Sequence, residues 1–425
     1  MRIIIYPPER LRVHAQLPAS KSISNRTLVI QALAARNCAG QVPEVRNLSD
    51  CDDTQVMLRA LSTMPDVIDI MAAGTAMRFL TAYLSITPGT HTITGTERMR
   101  HRPIGILVDA LRRLGAAVEY AAEEGFPPLR ITGRSLQGGA LELAGSVSSQ
   151  YISALLMIAP MMEQGLTLTL TGNIVSRPYI DMTLAIMGTF GAKARWQDGR
   201  TLRVEPVKYA PTPYTVENDW SASSYWYEMM ALTHDGEPSV TLSGLFSQSL
   251  QGDAAIREIF RPLGIATEFV RGEDGTEGIR LTRCGKPCEH YEYDFVRQPD
   301  LAQTVVVTCA LLGVTFRFTG LQSLKIKETD RLTALCTELG KLGYRLREQD
   351  GCVLSWDGER CAAQEHPVMD TYEDHRMAMS LAPACMLTGR LQMNDPQVVS
   401  KSYPRFWQEL KDFHIEEEKK GGAQG

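Results

Sequence analysis

The stretch SKSISNRTLVIQALA, residues 20–34, sets Lys21, Ser22, Ser24, Asn25 and Arg26 directly in front of an apolar run. Ser20 has the chemistry of a helix N-cap, and the run that follows is apolar nearly all round, so it reads as a buried helix whose N-terminus is crowded with donors and cations. Five other segments repeat this design: AGTAMRFLTAYLS (73–85), SVSSQYISALLMIAP (146–160), NDWSASSYWYEMMAL (218–232), QPDLAQTVVVTCALLG (298–313) and YEDHRMAMSLAPACML (372–387). About 30 residues after each start comes a second, amphipathic helix: DDTQVMLRALS, RPIGILVDALRRLGA, SRPYIDMTLAIMGTFGA, QGDAAIREIFRPLGI, KETDRLTALCTELGKLGY and KSYPRFWQELKDF. Most of these close on Gly and a strand-like segment, as a helix C-cap should.

The unit is thus buried helix, strand, surface helix, strand, and six units divide three and three at the Pro-rich segment PTPYTVEN, 211–218. The expected fold is α/β in two lobes of three repeats, with a ligand in the cleft between them. Helix N-termini attract anions. Around these starts lie Lys21 and Arg26, Arg102, Lys327 and Arg331, His375 and Arg376, and Lys401. Any one of them alone would pass as a solvated surface cation. Recurrence at successive helix starts opposes the helix dipole unless something negative is bound, so the sequence predicts a pocket for several anionic groups. Arg26 follows Ser22, and Arg331 follows Lys327, by four residues, so each pair is expected on one helix face.

Bulk properties narrow the function. The chain has 425 residues, 44% hydrophobic and 22% charged, with net charge -5. That is enough for more than one core, and it argues against a general nucleic-acid or membrane surface. The start MRIIIYPPER reads as a strand and a Pro-Pro break rather than a signal peptide. The longest apolar runs are about a dozen residues, short of a membrane span. Nine scattered cysteines suit a reduced, cytoplasmic protein. Cys284, Cys288 and His290 lack the spacing and fourth ligand of a structural zinc site and read as a loop. No metal is expected.

Walker, dinucleotide, zinc-protease and nucleophile-elbow motifs are absent, and Ser20-Lys21-Ser22 lacks Ser-x-x-Lys spacing. Among carboxylates, Asp300 in QPDLAQT and Glu328 in KETDR stand where proton transfer could be done, against plainer readings as an N-cap and as an ion-pair partner of Arg331. Asp219 and Asp374 look like N-caps, and Ser148 and Ser149 could also be caps. The tail EEEKKGGAQG is expected to be disordered.

With these residues in view, the chain resembles the EPSP synthases (3-phosphoshikimate 1-carboxyvinyltransferases) among the enolpyruvyl transferases. The carriers run nearly end to end: SKSISNR (20–26), AGTAMRFL (73–80), RPIG (102–105), SVSSQ (146–150), SRPYID (176–181), PDLAQT (299–304), KETDR (327–331) and DHRMAM (374–379). The resemblance implies a two-lobed inside-out α/β barrel of six βαβαββ-type repeats. One lobe would span 21–216, the other 1–20 with 217–425. It implies transfer of the enolpyruvyl group of phosphoenolpyruvate to the 5-hydroxyl of shikimate 3-phosphate in the pathway to chorismate and the aromatic amino acids, by addition and elimination, with no cofactor. A cytoplasmic monomer acting on these two small molecules is expected.

By the same resemblance, Lys21, Ser22, Arg26, Ser148, Ser149, Gln150, Ser176, Asp300 and Lys327 hold shikimate 3-phosphate. Lys21, Gly74, Arg102, Gln150, Arg331, Arg376 and Lys401 hold phosphoenolpyruvate. Asp300 takes the hydroxyl proton, and Glu328 with Lys21 serves the methylene carbon. Four departures stand out. Ala72 replaces an Asn before Ala-Gly-Thr, and the segment ahead of it is shorter by about one β-hairpin. Ser323 replaces an Asn. NDWSAS brings Trp220 beside the interlobe region and Ala222 for a Ser, and Phe79 stands where some members have Pro. The relative acting on UDP-N-acetylglucosamine carries a catalytic Cys on a first-lobe loop, whereas the only cysteines in that stretch here, Cys38 and Cys51, lie elsewhere. A silent phosphate-metabolite binder is the other alternative, against which both Asp300 and Glu328 argue.

Overall fold

The computed structural model describes residues 1–36, 42–272 and 275–418, which leaves Cys38 and the end of the tail outside the described residues. The chain divides into two compact units, one of Met1–Pro18 with Asn218–Gly425 and one of Ala19–Glu217. The expected lobe 21–216 lies inside the second of these. Each unit has its own apolar core, from Ala19 to Val216 in one and from Ile3 to Phe413 in the other.

In the 19–217 unit the buried helices are α1 (Lys21–Ala35), α3 (Gly74–Ser85) and α5 (Ser149–Ile158); the surface helices are α2 (Asp52–Thr63), α4 (Gly105–Arg113) and α6 (Arg177–Thr189). In the other unit α7 (Trp220–Leu232), α8 (Ala302–Leu312) and α10 (His375–Leu381) are buried, and α9 (Arg331–Lys341) is amphipathic. All twelve residues of α3 are buried, as its unbroken apolar run requires. Each fully desolvated aliphatic or aromatic side chain contributes roughly 1.5–3 kcal/mol, so these central helices carry much of each core.

Five four-stranded sheets share one topology: the first strand is parallel to the second, the second antiparallel to the fourth, and the third lies at the edge, with Arg2–Tyr6 taking the fourth place in the sheet of Val368–Met369, Leu391–Asn394 and His414–Glu418. One is closed by the chain's ends. There Arg2–Tyr6 pairs antiparallel with Leu391–Asn394 on one side and His414–Glu418 on the other. Among the described residues the sixth sheet has two strands, Val45–Arg46 and Tyr214–Thr215. Helix α2 ends at Met64 in the left-handed region, and the strand Val67–Asp69 of the next repeat begins almost at once. The first repeat therefore lacks its terminal hairpin, in the segment the sequence marks as short.

Two expected surface helices are broken. QGDAAIREIFRPLGI forms a 3-10 turn at Gly252–Ala255, a helix at Ile256–Ile259 and another 3-10 turn at Arg261–Leu263. Pro262 lacks the N–H that would continue the helix, and Gly264 at φ 85 ends the segment. In KSYPRFWQELKDF only Phe406–Glu409 is α-helical: Lys401 ends a 3-10 helix begun at Pro396, and Pro404 restricts the residues before it.

Candidate active site

Each unit gathers charged residues at its helix starts, by different means. In the 19–217 unit, Ser20 caps α1 by accepting from Ile23 N. Arg26, one turn in, is 2% exposed. Its Nε donates to Thr183 Oγ1 of α6 (2.7 Å), its Nη2 to Ser153 Oγ of α5 (3.2 Å) and its Nη1 to the Ser22 carbonyl (2.8 Å). The guanidinium also lies over the Phe79 ring, 5.3 Å from its centroid, so the Phe variant at this position supplies a cation–π face. Burial lowers the Arg26 pKa to about 10, with Tyr179 opposing. Among the described residues no carboxylate pairs with Arg26; every partner is neutral.

Ser148 caps α5 by accepting from Gln150 N (3.3 Å), and the Gln150 amide donates to Thr75 Oγ1 at the start of α3 (3.1 Å). Ser176 precedes α6 at φ 54, a left-handed conformation that costs a non-glycine residue on the order of 1–3 kcal/mol and persists only where its surroundings fix it. A Cβ on Gly74 would sit 2.6 Å from Arg102 Nη1, so the guanidinium rests directly on the first turn of α3. Lys21, unlike Arg26, has an acid beside it: its Nζ is 3.4 Å from Asp53 in the first turn of α2.

The other unit wraps its cations in carboxylates. Asp300 is not a helix cap: it lies in the 3-10 turn Pro299–Leu301 before α8. Its Oδ1 is 3.3 Å from both Lys327 Nζ and Arg331 Nη1, and its Oδ2 is 3.0 Å from Arg376 Nη2. Arg331, the first residue of α9 and 1% exposed, reaches Glu328 (3.0 Å) and clasps Asp374 through Nε (2.7 Å) and Nη2 (3.2 Å). Glu328 also pairs with Lys401 at 2.9 Å. Asp374 does cap α10, accepting from Arg376 N, but its second role as the counter-charge of Arg331 does not show in a local motif. Lys327 precedes α9, so it shares no helix face with Arg331; the two meet at Asp300 instead.

Burial alone would raise the Asp300 pKa, but Arg376, Lys327 and Arg331 overcome it and hold the carboxyl well below the usual range, against the pull of Glu328. Burial alone would lower that of Arg331, and Asp374, Glu328 and Asp300 push it above its ordinary value. The negative partner that basic residues at a helix start require is therefore supplied here by the protein's own acids. Lys327, Arg331, Arg376 and Lys401 face Asp300, Glu328 and Asp374, leaving one net positive charge where a count of cations alone suggested a more basic pocket.

Residues that sequence patterns passed over include Thr183 and Ser153, which fix Arg26, and Asp253, buried beside Ser221. Trp220 is fully buried in the core of its unit, with Arg257 over its ring at 5.4 Å and Phe269 against its edge. Cys51 begins α2 as a buried thiol whose pKa burial raises, in spite of nearby Lys21, so it is no ready nucleophile. Among the described residues no group of three or more His, Cys, Asp or Glu could hold a metal ion, and no helix is long and apolar enough to cross a membrane.

The fold is that of the enolpyruvyl transferases. It matches an EPSP synthase structure from Acinetobacter baumannii with a TM-score of 0.77 at 19% identity, covering 98% of this chain and 100% of that one. It matches the enolpyruvyl transferase NikO from Streptomyces tendae with a TM-score of 0.71 at 17% identity, covering 98% of each chain. Within that class, the family model "EPSP synthase (3-phosphoshikimate 1-carboxyvinyltransferase)" matches residues 5–67 and 62–410. A 3-phosphoshikimate 1-carboxyvinyltransferase of Bacteroides fragilis is 58% identical over 411 residues, 97% of each chain. One from Aliivibrio fischeri is 35% identical over 97% of this chain and 99% of that protein. The chain belongs to the EPSP synthase family and is a transferase of the shikimate pathway.

Proposed function

We propose that this chain transfers the enolpyruvyl group of phosphoenolpyruvate to the 5-hydroxyl of shikimate 3-phosphate, with both sets of charged residues acting on that one pair of substrates. The observation that carries the reading is the Asp300 carboxylate, held by Lys327, Arg331 and Arg376 and joined through Arg331 to Glu328. Asp300 accepts the proton of the 5-hydroxyl as that oxygen bonds to C2 of phosphoenolpyruvate. Glu328 with Lys21 protonates the methylene carbon to a methyl group. In the second step the C2–O bond to phosphate breaks, the methyl group returns a proton, and the enol ether and inorganic phosphate are released.

Three cations make Asp300 a weak base when the site is empty. Two phosphates and two carboxylates arriving as substrates draw those cations onto themselves, which raises the basicity of Asp300 when a base is needed. Lys21, Ser22, Arg26, Ser148, Ser149, Gln150 and Ser176, with Lys327, hold shikimate 3-phosphate. Gly74, Arg102, Arg331, Arg376 and Lys401, with Lys21 and Gln150, hold phosphoenolpyruvate. Arginine forks suit planar and tetrahedral oxyanions. The cysteine pattern supports action in the cytoplasm, and we take the chain to act as a monomer.

An assay of phosphate release from phosphoenolpyruvate tests the reading. Release that requires shikimate 3-phosphate is expected. Tight binding without turnover would leave a silent binder, and turnover only with UDP-N-acetylglucosamine would leave the sister transferase.

A further inference from the structure

We propose that Glu338 and Tyr372 are positioning residues, a buried carboxylate and a half-buried phenol that hold the turn Tyr372–Glu373 and thereby aim Arg376 at Asp300. The inference rests on the reading above in taking Arg376 as a ligand of phosphoenolpyruvate.

Tyr372 and Glu373 are consecutive residues in the left-handed region, at φ 55 and 54, and neither is Gly, Asn or Asp. Such backbone persists only where its surroundings fix it, and it clusters at sites where geometry matters. Asp374 follows directly as the cap of α10. Next but one is Arg376, whose Nη2 donates to Asp300 Oδ2 at 3.0 Å and whose Nη1 donates to the Asp300 carbonyl at 3.3 Å.

What holds the turn comes from α9. Glu338 is fully buried; its Oε1 accepts from the Tyr372 hydroxyl at 2.5 Å, and its Oε2 accepts from the Asp370 backbone N–H at 3.0 Å. Lys341, one turn on, bridges the same carboxylate and Asp370, 2.8 Å from each, and donates to the Val368 carbonyl at 2.8 Å. The first residue of this helix, Arg331, clasps Asp374. One eleven-residue helix, roughly 16 Å long, therefore grips the strained segment at both ends, its start fixing Asp374 and its end fixing Asp370 and Tyr372. Glu338 touches none of the groups assigned to chemistry, so its influence passes through the turn.

The test uses Tyr372→Phe, Glu338→Gln, Glu373→Gly and the double variant Y372F/E373G in the full chain. Glycine adopts φ near 54 without strain, so Glu373→Gly should relieve the need for the clamp. Tyr372→Phe is expected to raise KM for phosphoenolpyruvate about 10-fold, with kcat and KM for shikimate 3-phosphate changed less than about 2-fold. Amide exchange across 370–376 should quicken about 10-fold. Glu338→Gln should act in the same direction, and Y372F/E373G should return both readouts towards wild type. Unchanged KM, a rise shared equally by both substrates, or no rescue in the double variant would overturn the proposal. A wild type with no turnover would instead defeat the functional reading beneath it; exchange at 370–376 then decides the clamp alone, and unchanged exchange in Tyr372→Phe overturns it.

Discussion

The two units solve the burial of cations in opposite ways. In the 19–217 unit Arg26 is desolvated among hydroxyls, a carbonyl and the Phe79 ring, and its pKa falls to about 10. In the other unit Arg331, equally buried, is encircled by Asp300, Glu328 and Asp374, and its pKa rises. An arginine with neutral partners keeps its charge available to an incoming anion. One wrapped in acids is already compensated, and what it gives is fixed placement of those acids. On the proposed reading, the 19–217 unit is mainly a receptor for a phosphorylated substrate and the other unit is the seat of proton transfer.

Breaking the second cluster should have the largest effect. Asp300→Ala is expected to reduce kcat by about 10²- to 10⁴-fold while affinity for phosphoenolpyruvate, measured by calorimetry, holds or tightens, because one negative charge has left a site of four cations. Comparable losses in kcat and affinity would merge the two roles. Lys21→Met, which removes the cation proposed to span both substrates, should lower kcat and raise both KM values, with kcat/KM down at least about 100-fold in steady-state assays.

Arg26→Lys probes the receptor side. A lysine cannot reproduce the fork to Thr183 and Ser153, so KM for shikimate 3-phosphate should rise roughly 10-fold with kcat little changed. A large fall in kcat would show that the division between units is wrong.

Asp253 offers a pH test within the acidic unit. Burial, aided by the charge of Asp300, raises its pKa from 3.8 to about 6, against Arg376 and the bond from Ser221. Since the folded value is the higher, its stabilising share is complete below about pH 4 and lost as pH rises through 6. Relative to Asp253→Asn, the wild type should lose on the order of 3 kcal/mol across that window in denaturant titrations. A constant difference would refute the buried, ionisation-averse environment. Gly74→Ala should have the smallest effect, a few-fold rise in KM for phosphoenolpyruvate, because the atom in the way is the far end of the flexible Arg102 side chain.

Sequence pattern reached far here because the same supersecondary unit recurs: continuous apolar runs mark helices with no solvated face, and N-terminal polar clusters mark where those helices begin. The abbreviated first repeat was legible as a short segment, and the structure shows a sheet of two strands there. What escaped was pairing across the fold. Asp374 looked like a cap because capping is local, whereas its clasp of Arg331 spans 43 residues. The charge balance of the second unit depends on such distant pairs, so a count of cations overstated its positive charge. The two broken helices were missed for a different reason. Their apolar spacing is helical, and Pro262 and Pro404 prevail over it.

The most direct measurement is phosphate release by wild type and Asp300→Ala with phosphoenolpyruvate, in the presence and absence of shikimate 3-phosphate. The account predicts one phosphate per enolpyruvyl group transferred, strict dependence on both substrates, and near-complete loss in Asp300→Ala with binding retained. Release from phosphoenolpyruvate alone, or undiminished turnover in the variant, would contradict it.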